Sequence, residues 1–351
     1  MFIRQLDLTH FRQFNHLKIN PAPHINIIYG NNGSGKTSLL ESIYWLSHGR
    51  SFRQVRGMQL IQDDEEMATV YASFHDGQDR SIGWQKKKHG SSSWRLDRQP
   101  VTSFAPIAKS LPVQWLDTSS HRDYASGPKE RRRFFDWGLF HVEPEFHGVW
   151  SSYQTAVSQR NAALKQKQWL GQWDHQCVHW GERLDAMRRS YFECYSQVFE
   201  QYVASLSLVD LSVSLRYERG WSDSDSLAEA LASSLGQDQR MGFTSCGPHR
   251  ADVVITTPKG AAHQRLSQGQ QKMLAYAWRL AQGEMLQSKR GSHGIILIDD
   301  LTAELDPQKR SNVLRLLAEH SWQCFIAVVH LDEVAPFLPK GLDFSAMKIG
   351  S

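Results

Sequence analysis

The chain has 351 residues, with 40 Lys and Arg against 36 Asp and Glu, giving a formal charge of +4. Its 40% apolar content with 11% aromatics is enough for a full core, which excludes disordered and collagen-like classes; no run of about 18 apolar residues marks a membrane span. Cys177, Cys194, Cys246 and Cys324 are scattered without a C-x-x-C pair, which argues against a disulfide framework or structural zinc and for a cytosolic setting.

At about 150 residues per domain, the length suggests two domains or one with a large insertion. Residues 1–8 alternate apolar and polar side chains and read as a strand, with no signal-peptide core. Short β-type runs follow at 25–29, 68–74 and 113–116, around one helix. From about 128 to 206 the texture is helical. Pro128 suits a helix start, and 129–140 continues without a breaker. Trp180, Leu184, Met187, Tyr191, Tyr195, Val198 and Tyr202 then recur at steps of 4, 3, 4, 4, 3 and 4. That stripe fits a bundle seam inside one lobe, with a partner-binding coiled coil as the alternative. A long chromosome-type arm has no room.

β texture returns at 251–255, followed by a helix over 268–288, a strand at 295–299, a helix over 307–319 and a strand at 325–329. Alternation with wholly apolar strands implies a parallel sheet covered on both faces. The expected fold class is therefore α/β, with the β-rich ends (1–120 and 241–351) forming one domain. A largely helical insertion occupies 121–240.

The sharpest motif is Gly30-Asn31-Asn32-Gly33-Ser34-Gly35-Lys36-Thr37, which matches G-x-x-x-x-G-K-[ST] after an apolar strand and opens a helix at Ser38. Its glycines let backbone N–H groups turn inward on phosphates, and the helix N-terminus adds positive potential. Lys36 is placed to reach the β- and γ-phosphates of ATP, and the Thr37 hydroxyl to bind Mg2+. A second element, the strand at 295–299, ends in two carboxylates. Asp299 fits the Mg2+ shell, and Asp300 is the candidate general base for an attacking water. Asp300 is one methylene shorter than the usual glutamate, a hint of slow turnover.

Leu266-Ser267-Gln268-Gly269-Gln270-Gln271-Lys272 resembles the LSGGQ-type signature of ABC ATPases. Ser267 would cap the helix, and Gly269 and Gln270 would lie in its first turn, facing an anion. In the ABC arrangement this motif closes over the nucleotide held by a second subunit. The same resemblance implies a Q-loop role for Gln114, touching Mg2+, a D-loop at Ala303-Glu304-Leu305-Asp306, and a switch-histidine role for His330. By analogy with DNA-repair members, Arg12 would sit near the adenine.

Several further blocks are similar to those of the RecF family of bacterial DNA replication and repair proteins. They include residues 8–14, Gln159-Arg160-Asn161-Ala162-Ala163-Leu164, the R-R-x-F-x-D run from Arg131 to Asp136, and Gly247-Pro248-His249-Arg250-Ala251-Asp252. One departure is Thr118-Ser119, where that family usually shows Pro-Glu, followed by His121, Arg122 and Asp123 at usually apolar positions. The resemblance implies an ABC-type, SMC-like head with a mixed β-sheet lobe I, an inserted helical lobe II and no long coiled coil. It also implies an ATP-driven homodimer that binds single-stranded, double-stranded and gapped DNA and works with RecR and RecO to load RecA. A slow, DNA-stimulated ATPase would serve as the dimerisation switch.

Basic clusters lie at Arg50, Arg53 and Arg56, at Lys86-Lys87-Lys88, at Lys129 with Arg131-Arg132-Arg133, and at Arg188-Arg189. Each taken alone also suits a solvated face. Arg131 and Arg132 are the preferred DNA contacts. Trp84 and Trp94 are conceivable base-stacking residues without positional support. No base-reading element is evident, so sequence-indifferent binding is expected. Rival readings are a membrane-docked transporter-type ABC ATPase subunit, an arm-bearing chromosome-maintenance ATPase and a small-molecule kinase.

Overall fold

Ten residues of alternating character make β1 (Phe2–Phe11), where a bulge between Ile3 and Gln5 resets the pleat so that Ile3 is buried with Leu6 and Leu8, and His10, at φ +50°, breaks the alternation again before buried Phe11. The computed structural model describes residues 1–350 except 54, 56, 118, 119, 121, 292, 293, 303, 304 and 321, and only the backbone of 123 and 209. Arg56, Thr118, Ser119, His121, the side chain of Asp123, and Ala303 and Glu304 of the expected D-loop thus lie outside the described residues.

After β1 come β2 (Phe14–Ile19), β3 (Ile25–Tyr29) and α1 (Lys36–His48), then β4 (Met67–His75), β5 (Asp79–Lys87), β6 (Ser92–Leu96) and β7 (Gln99–Pro100). Six of these strands form an antiparallel sheet in the order β2-β1-β4-β5-β6-β7. Its inner face, with Val70, Phe74, Ile82 and Trp84, shares one core with Leu39, Leu40 and Ile43 of α1. Trp84 is fully enclosed, its ring 5.2 Å from that of Trp45, while Trp94 packs edge-on against Phe104 at 5.0 Å. Neither indole turns outward, which removes both as base-stacking residues. Strand alternation instead sends Tyr71 to the outer face.

The chain continues through α2 (Ala105–Ser110), β8 (Val113–Leu116), α3 (Arg122–Ala125), α4 (Pro128–Val142), α5 (Phe146–Lys165) and α6 (Gly171–Ser205). Next are β9 (Ser214–Glu218), α7 (Leu227–Met241), β10 (Asp252–Thr257), β11 (Gly260–Ala261), α8 (Ala262–Arg265) and α9 (Gln268–Arg290). The last elements are β12 (Ile295–Asp299), α10 (Pro307–Glu319), β13 (Gln323–Val328) and β14 (Phe344–Lys348). A five-stranded parallel sheet runs in the order β14-β3-β13-β12-β8. The mix of strand directions expected for lobe I is thus divided between two sheets, each with one internal rule.

Two compact units result: residues 1–120 with 286–351, and residues 121–285. The stretch 241–285, expected with the β-rich ends, falls in the second unit. There β10 pairs with β9 and packs on α4, so hydrogen bonding holds it among the helices.

Within the second unit, α6 is 35 residues long, about 52 Å at 1.5 Å per residue. Its buried line is Cys177, Gly181, Leu184, Arg188, Tyr191, Tyr195, Phe199 and Tyr202, packed against α4, α5 and α7. That is the intramolecular seam. Trp180, Met187 and Val198 flank it, half-buried.

The blocks shared with the RecF family brace this unit. Arg131 is 7% exposed, and its fork donates to Asp252 at 2.8 and 2.6 Å and to the Tyr124 carbonyl at 2.8 Å. A guanidinium held this way is no DNA contact, which corrects that expectation. Arg188 grips Asp136 at 2.9 and 2.8 Å and donates to the Pro248 carbonyl at 2.7 Å. Arg189 pairs with Asp185 at 3.3 Å, and Arg133 with Glu130 at 3.5 Å. Arg132 stays half-exposed and donates to the Ala251 carbonyl; burial, and the charges of Arg188 and Arg250, hold its pKa below the ordinary value.

His249 is locked neutral. Tyr153 donates its hydroxyl to Nδ1 at 2.8 Å, and Nε2–H donates to the Thr244 carbonyl at 3.0 Å. Gly247 makes this possible: its φ is +120°, and a Cβ there would come within 2.6 Å of the Tyr153 hydroxyl. Burial pushes the His249 pKa down to about 4 from 6.5. Unfolded histidine takes up its proton first as pH falls, so His249 contributes stability that is complete above pH 6.5 and drains away toward pH 4, by roughly 3 kcal/mol in all. The urea midpoint should therefore drop between pH 7 and pH 5, and His249→Gln should flatten that slope.

Candidate functional site

Backbone geometry at the end of β3 explains the glycines of the P-loop. Gly30 donates its N–H to the Val329 carbonyl at 3.2 Å, and a Cβ on it would lie 2.3 Å from the Ile349 carbonyl oxygen. Gly35 has φ +110°, and a Cβ there would strike Gln13 Nε2 at 2.5 Å and the Phe14 ring at 2.6 Å. Only glycine fits either place. α1 starts at Lys36 behind Gly35 with no side-chain cap, so its first N–H groups remain for an anion. Lys36 Nζ donates to the carbonyls of Gly30 and Asn31 at 2.6 and 2.9 Å.

A cavity of about 300 Å³ opens here. Asn32, Gly33, Gly35, Lys36, Thr37 and Ser38 line it from the P-loop, and Asp299 and Asp300 from the end of β12. Ser34 is not among the lining residues. Its hydroxyl is buried and has no hydrogen-bond partner among the described residues. The two motifs the sequence paired are therefore together in space. Thr37 Oγ1 donates to Asp299 Oδ1 at 3.3 Å.

Burial raises the Asp299 pKa above the ordinary carboxylate value; the Thr37 hydrogen bond opposes this, Asp300 and Asp117 add to it, and Arg53 counters it. A raised pKa means the native state disfavours the ionised form, so stability contributed through Asp299 is present at low pH and lost as pH rises through its folded value. Asp299→Asn, without ligands, should melt above the parent at pH 7, with the gap closing as pH falls; differential scanning calorimetry measures both. The same desolvated carboxylate beside a hydroxyl fits a divalent cation.

Asp300 is exposed and has φ +57°, a left-handed backbone in which Asp is far commoner than Glu. The shorter carboxylate thus has a conformational reason at this turn.

Other expected site residues are dispersed. Gln114 is the second residue of β8, not its end. It sits in register with Ile296, three residues before Asp299, or about 10 Å along the strand. Its side chain is buried without a hydrogen-bond partner among the described residues. Gln114 is therefore not brought to the carboxylates, because the strand runs on past it. Asp117, the residue just after β8, is the one whose charge reaches Asp299.

Arg12 does not line the cavity. It forms a bidentate pair with fully buried Glu41 at 2.9 and 2.8 Å and donates to the Gln59 carbonyl at 2.8 Å. Its neighbour Gln13 lines the cavity, as does Arg53 of the basic cluster at Arg50, Arg53 and Arg56.

His330 is exposed in an adjoining cavity of about 610 Å³, with Gly30, Asn31, Asp332 and Lys348. Asp306 caps α10, accepting the Lys309 N–H at 3.0 Å. At the start of α9, Gln270 N–H donates to Ser267 Oγ at 3.3 Å and Ser267 N–H to Gln270 Oε1 at 2.9 Å, a reciprocal cap with Gly269 inside the first turn. This exposed turn belongs to the second unit.

Gln13, Arg53 and Asp117 were missed. Asp117 had a signal, since it follows an apolar strand as Asp299 and Asp300 do; the other two arrive from loops that pattern does not place.

A strand, P-loop and helix, with a carboxylate-ended strand two places along the same parallel sheet, define a P-loop nucleotide-binding fold. A model of the RecF/RecN/SMC N-terminal domain family matches residues 2–335. The chain is 40% identical to the DNA replication and repair protein RecF of Coxiella burnetii (strain Dugway 5J108-111), over 95% of this chain and 94% of that one. The RecF of Pseudomonas aeruginosa (strain LESB58) is also 40% identical, over 94% and 90%. This chain belongs to the RecF family.

The fold is similar to that of a structure of the recombination mediator protein RecF-ATPrS in the RecFOR pathway, with TM-score 0.84, 23% identity and coverage of 99% and 96%. It is also similar to an Smc head bound to the C-winged helix domain of ScpA, with TM-score 0.61, 18% identity and coverage of 95% and 91%. Among the described residues, no helix is long and apolar enough to cross a membrane.

Proposed function

We propose that this chain is an ATP-dependent DNA-binding protein of recombinational repair and replication restart, whose two copies join when ATP binds. The observation that carries this is the cavity where the Lys36 loop meets the Thr37–Asp299 hydrogen bond, in a member of the RecF family. The fit to ATP and Mg2+ rests on the two glycine positions that exclude a Cβ and on a buried carboxylate disfavoured while ionised without a cation.

The N–H groups of residues 33–38 would hold the phosphates, Lys36 and Arg53 would offset their charge, and Thr37 and Asp299 would hold the metal. Mg2+ would supply charge neutralisation between the phosphates. Asp300, exposed at the cavity rim, would accept a proton from water. His330 and Asp117 are positioning candidates, and turnover would be slow.

The capped turn at Ser267 and Gly269 presents N–H groups suited to a phosphate held by a second copy. Gapped DNA is the proposed substrate, and RecO, RecR and RecA the proposed partners, in the cytoplasm. Among the preferred DNA residues only Arg132 remains, half-exposed in a cationic cluster.

Analytical ultracentrifugation tests the reading. ATP with Mg2+ should convert monomer to dimer, ADP should not, and gapped DNA should co-sediment with the dimer. The same mass with both nucleotides would refute the composite site.

A further inference from the structure

The outer face of the antiparallel sheet holds a cavity of about 220 Å³ that shares no lining residue with the nucleotide cavity and also touches Val70 and Trp84 of the core. Its floor is Gly83, in the middle of β5. Register places Tyr71 of β4 opposite Gly83 on one side and Arg95 of β6 opposite it on the other, a single row across three strands. Thr69, Gln85 and Ser93 form the next row. Arg98, in the turn after β6, also lines the cavity.

Gly83 lacks a structural reason to be glycine. It is a strand residue without positive φ, and a Cβ added there meets nothing within 4 Å. Glycine inside a strand weakens it and often marks a place where another molecule approaches the backbone.

Its neighbours point the same way. Tyr71 is 36% exposed, a large ring kept at the surface. Arg80 nearby is tied to Asp97 at 2.8 Å, whereas Arg95 and Arg98 are exposed and carry no ion pair among the described residues.

We propose that this row binds single-stranded nucleic acid, one base lying over Gly83 beside the Tyr71 ring while Arg95 and Arg98 meet the adjoining phosphates. Open sheets bind single strands in this manner, through aromatic platforms and flanking cations. A duplex keeps its bases stacked and paired, so it has no free face to lay on the sheet. The polar neighbours Thr69, Gln85 and Ser93 offer little to an apolar protein segment. The inference rests on the DNA-binding reading above and assigns it a contact surface.

The test is fluorescence anisotropy of labelled oligo(dT), and of a duplex of equal length, on the full chain with ATP and Mg2+. Gly83→Val fills the floor with a residue that favours strands and should weaken oligo(dT) binding about tenfold. Tyr71→Ala should do the same, and Arg95→Glu should also flatten the salt dependence. For Gly83→Val the melting temperature should not fall below the parent's, and ATP affinity and duplex binding should stay at parental values. Unchanged oligo(dT) binding by Gly83→Val, or an equal loss on the duplex, would overturn the site. A parent chain that binds neither DNA would instead overturn the DNA-binding reading itself.

Discussion

Lys36→Met should raise the dissociation constant for ATP by about a hundredfold or more, since two charge-assisted contacts to phosphate oxygens are worth about 3 kcal/mol together. Among the described residues Lys36 donates to the carbonyls of buried Gly30 and exposed Asn31, two neutral acceptors whose loss costs far less than the phosphate contacts. Its replacement should therefore leave the melting temperature nearly unchanged. Isothermal titration calorimetry measures the first quantity and scanning calorimetry the second. ATP binding at parental affinity would show that the cavity is not the nucleotide site. The dimer should vanish in the same variant, because its bridging phosphate would no longer be held.

The largest stability effect belongs to Arg160, which the sequence noted only as part of a family block. Arg160 and Asp238 both have fully buried side chains 2.6 Å apart. Arg160 also donates to Asp174 at 2.7 Å and to the Thr244 hydroxyl at 3.0 Å. Asp238 in turn accepts from the Ser245 N–H at 3.0 Å and its hydroxyl at 2.6 Å.

Arg160→Leu leaves the Asp238 carboxylate buried without its cation, a loss of about 3–5 kcal/mol. The double variant Arg160→Leu/Asp238→Leu should recover much of that, because a buried ion pair carries a desolvation penalty that apolar packing does not. Urea unfolding of the three proteins measures the cycle. A single-variant loss below about 1 kcal/mol would mean that water reaches the pair.

Several blocks that identify the family thus maintain the fold. Arg131 and Arg188 look like surface cations in a linear run of charges, and both are buried in bidentate pairs. A basic cluster in sequence has no direction until its helix does. α4 turns Arg131 inward and Arg133 outward two residues later, because successive residues are rotated by about 100° around a helix. Trp84 shows the same limit in a strand, since which face of a pleat is the core depends on partners distant in sequence.

Legibility was highest where chemistry needs consecutive residues. The phosphate loop, the capped turn at Ser267 and the strand ending in Asp299 are local: a few adjacent backbone angles and a helix start define each one. The amino-acid sequence by itself determined these elements and the α/β class. It also determined the long amphipathic helix, whose period of apolar residues is local as well.

Tertiary structure alone decided which of those elements share a cavity, that Asp117 and not Gln114 approaches Asp299, and that β10 joins the helical unit. It alone decided that Tyr71, Gly83 and Arg95 stand in one row. Each of these facts depends on strand register or on the burial of a charge, and both are set by contacts between residues far apart in the chain. Local propensity carries no information about such contacts until the core that joins them has formed.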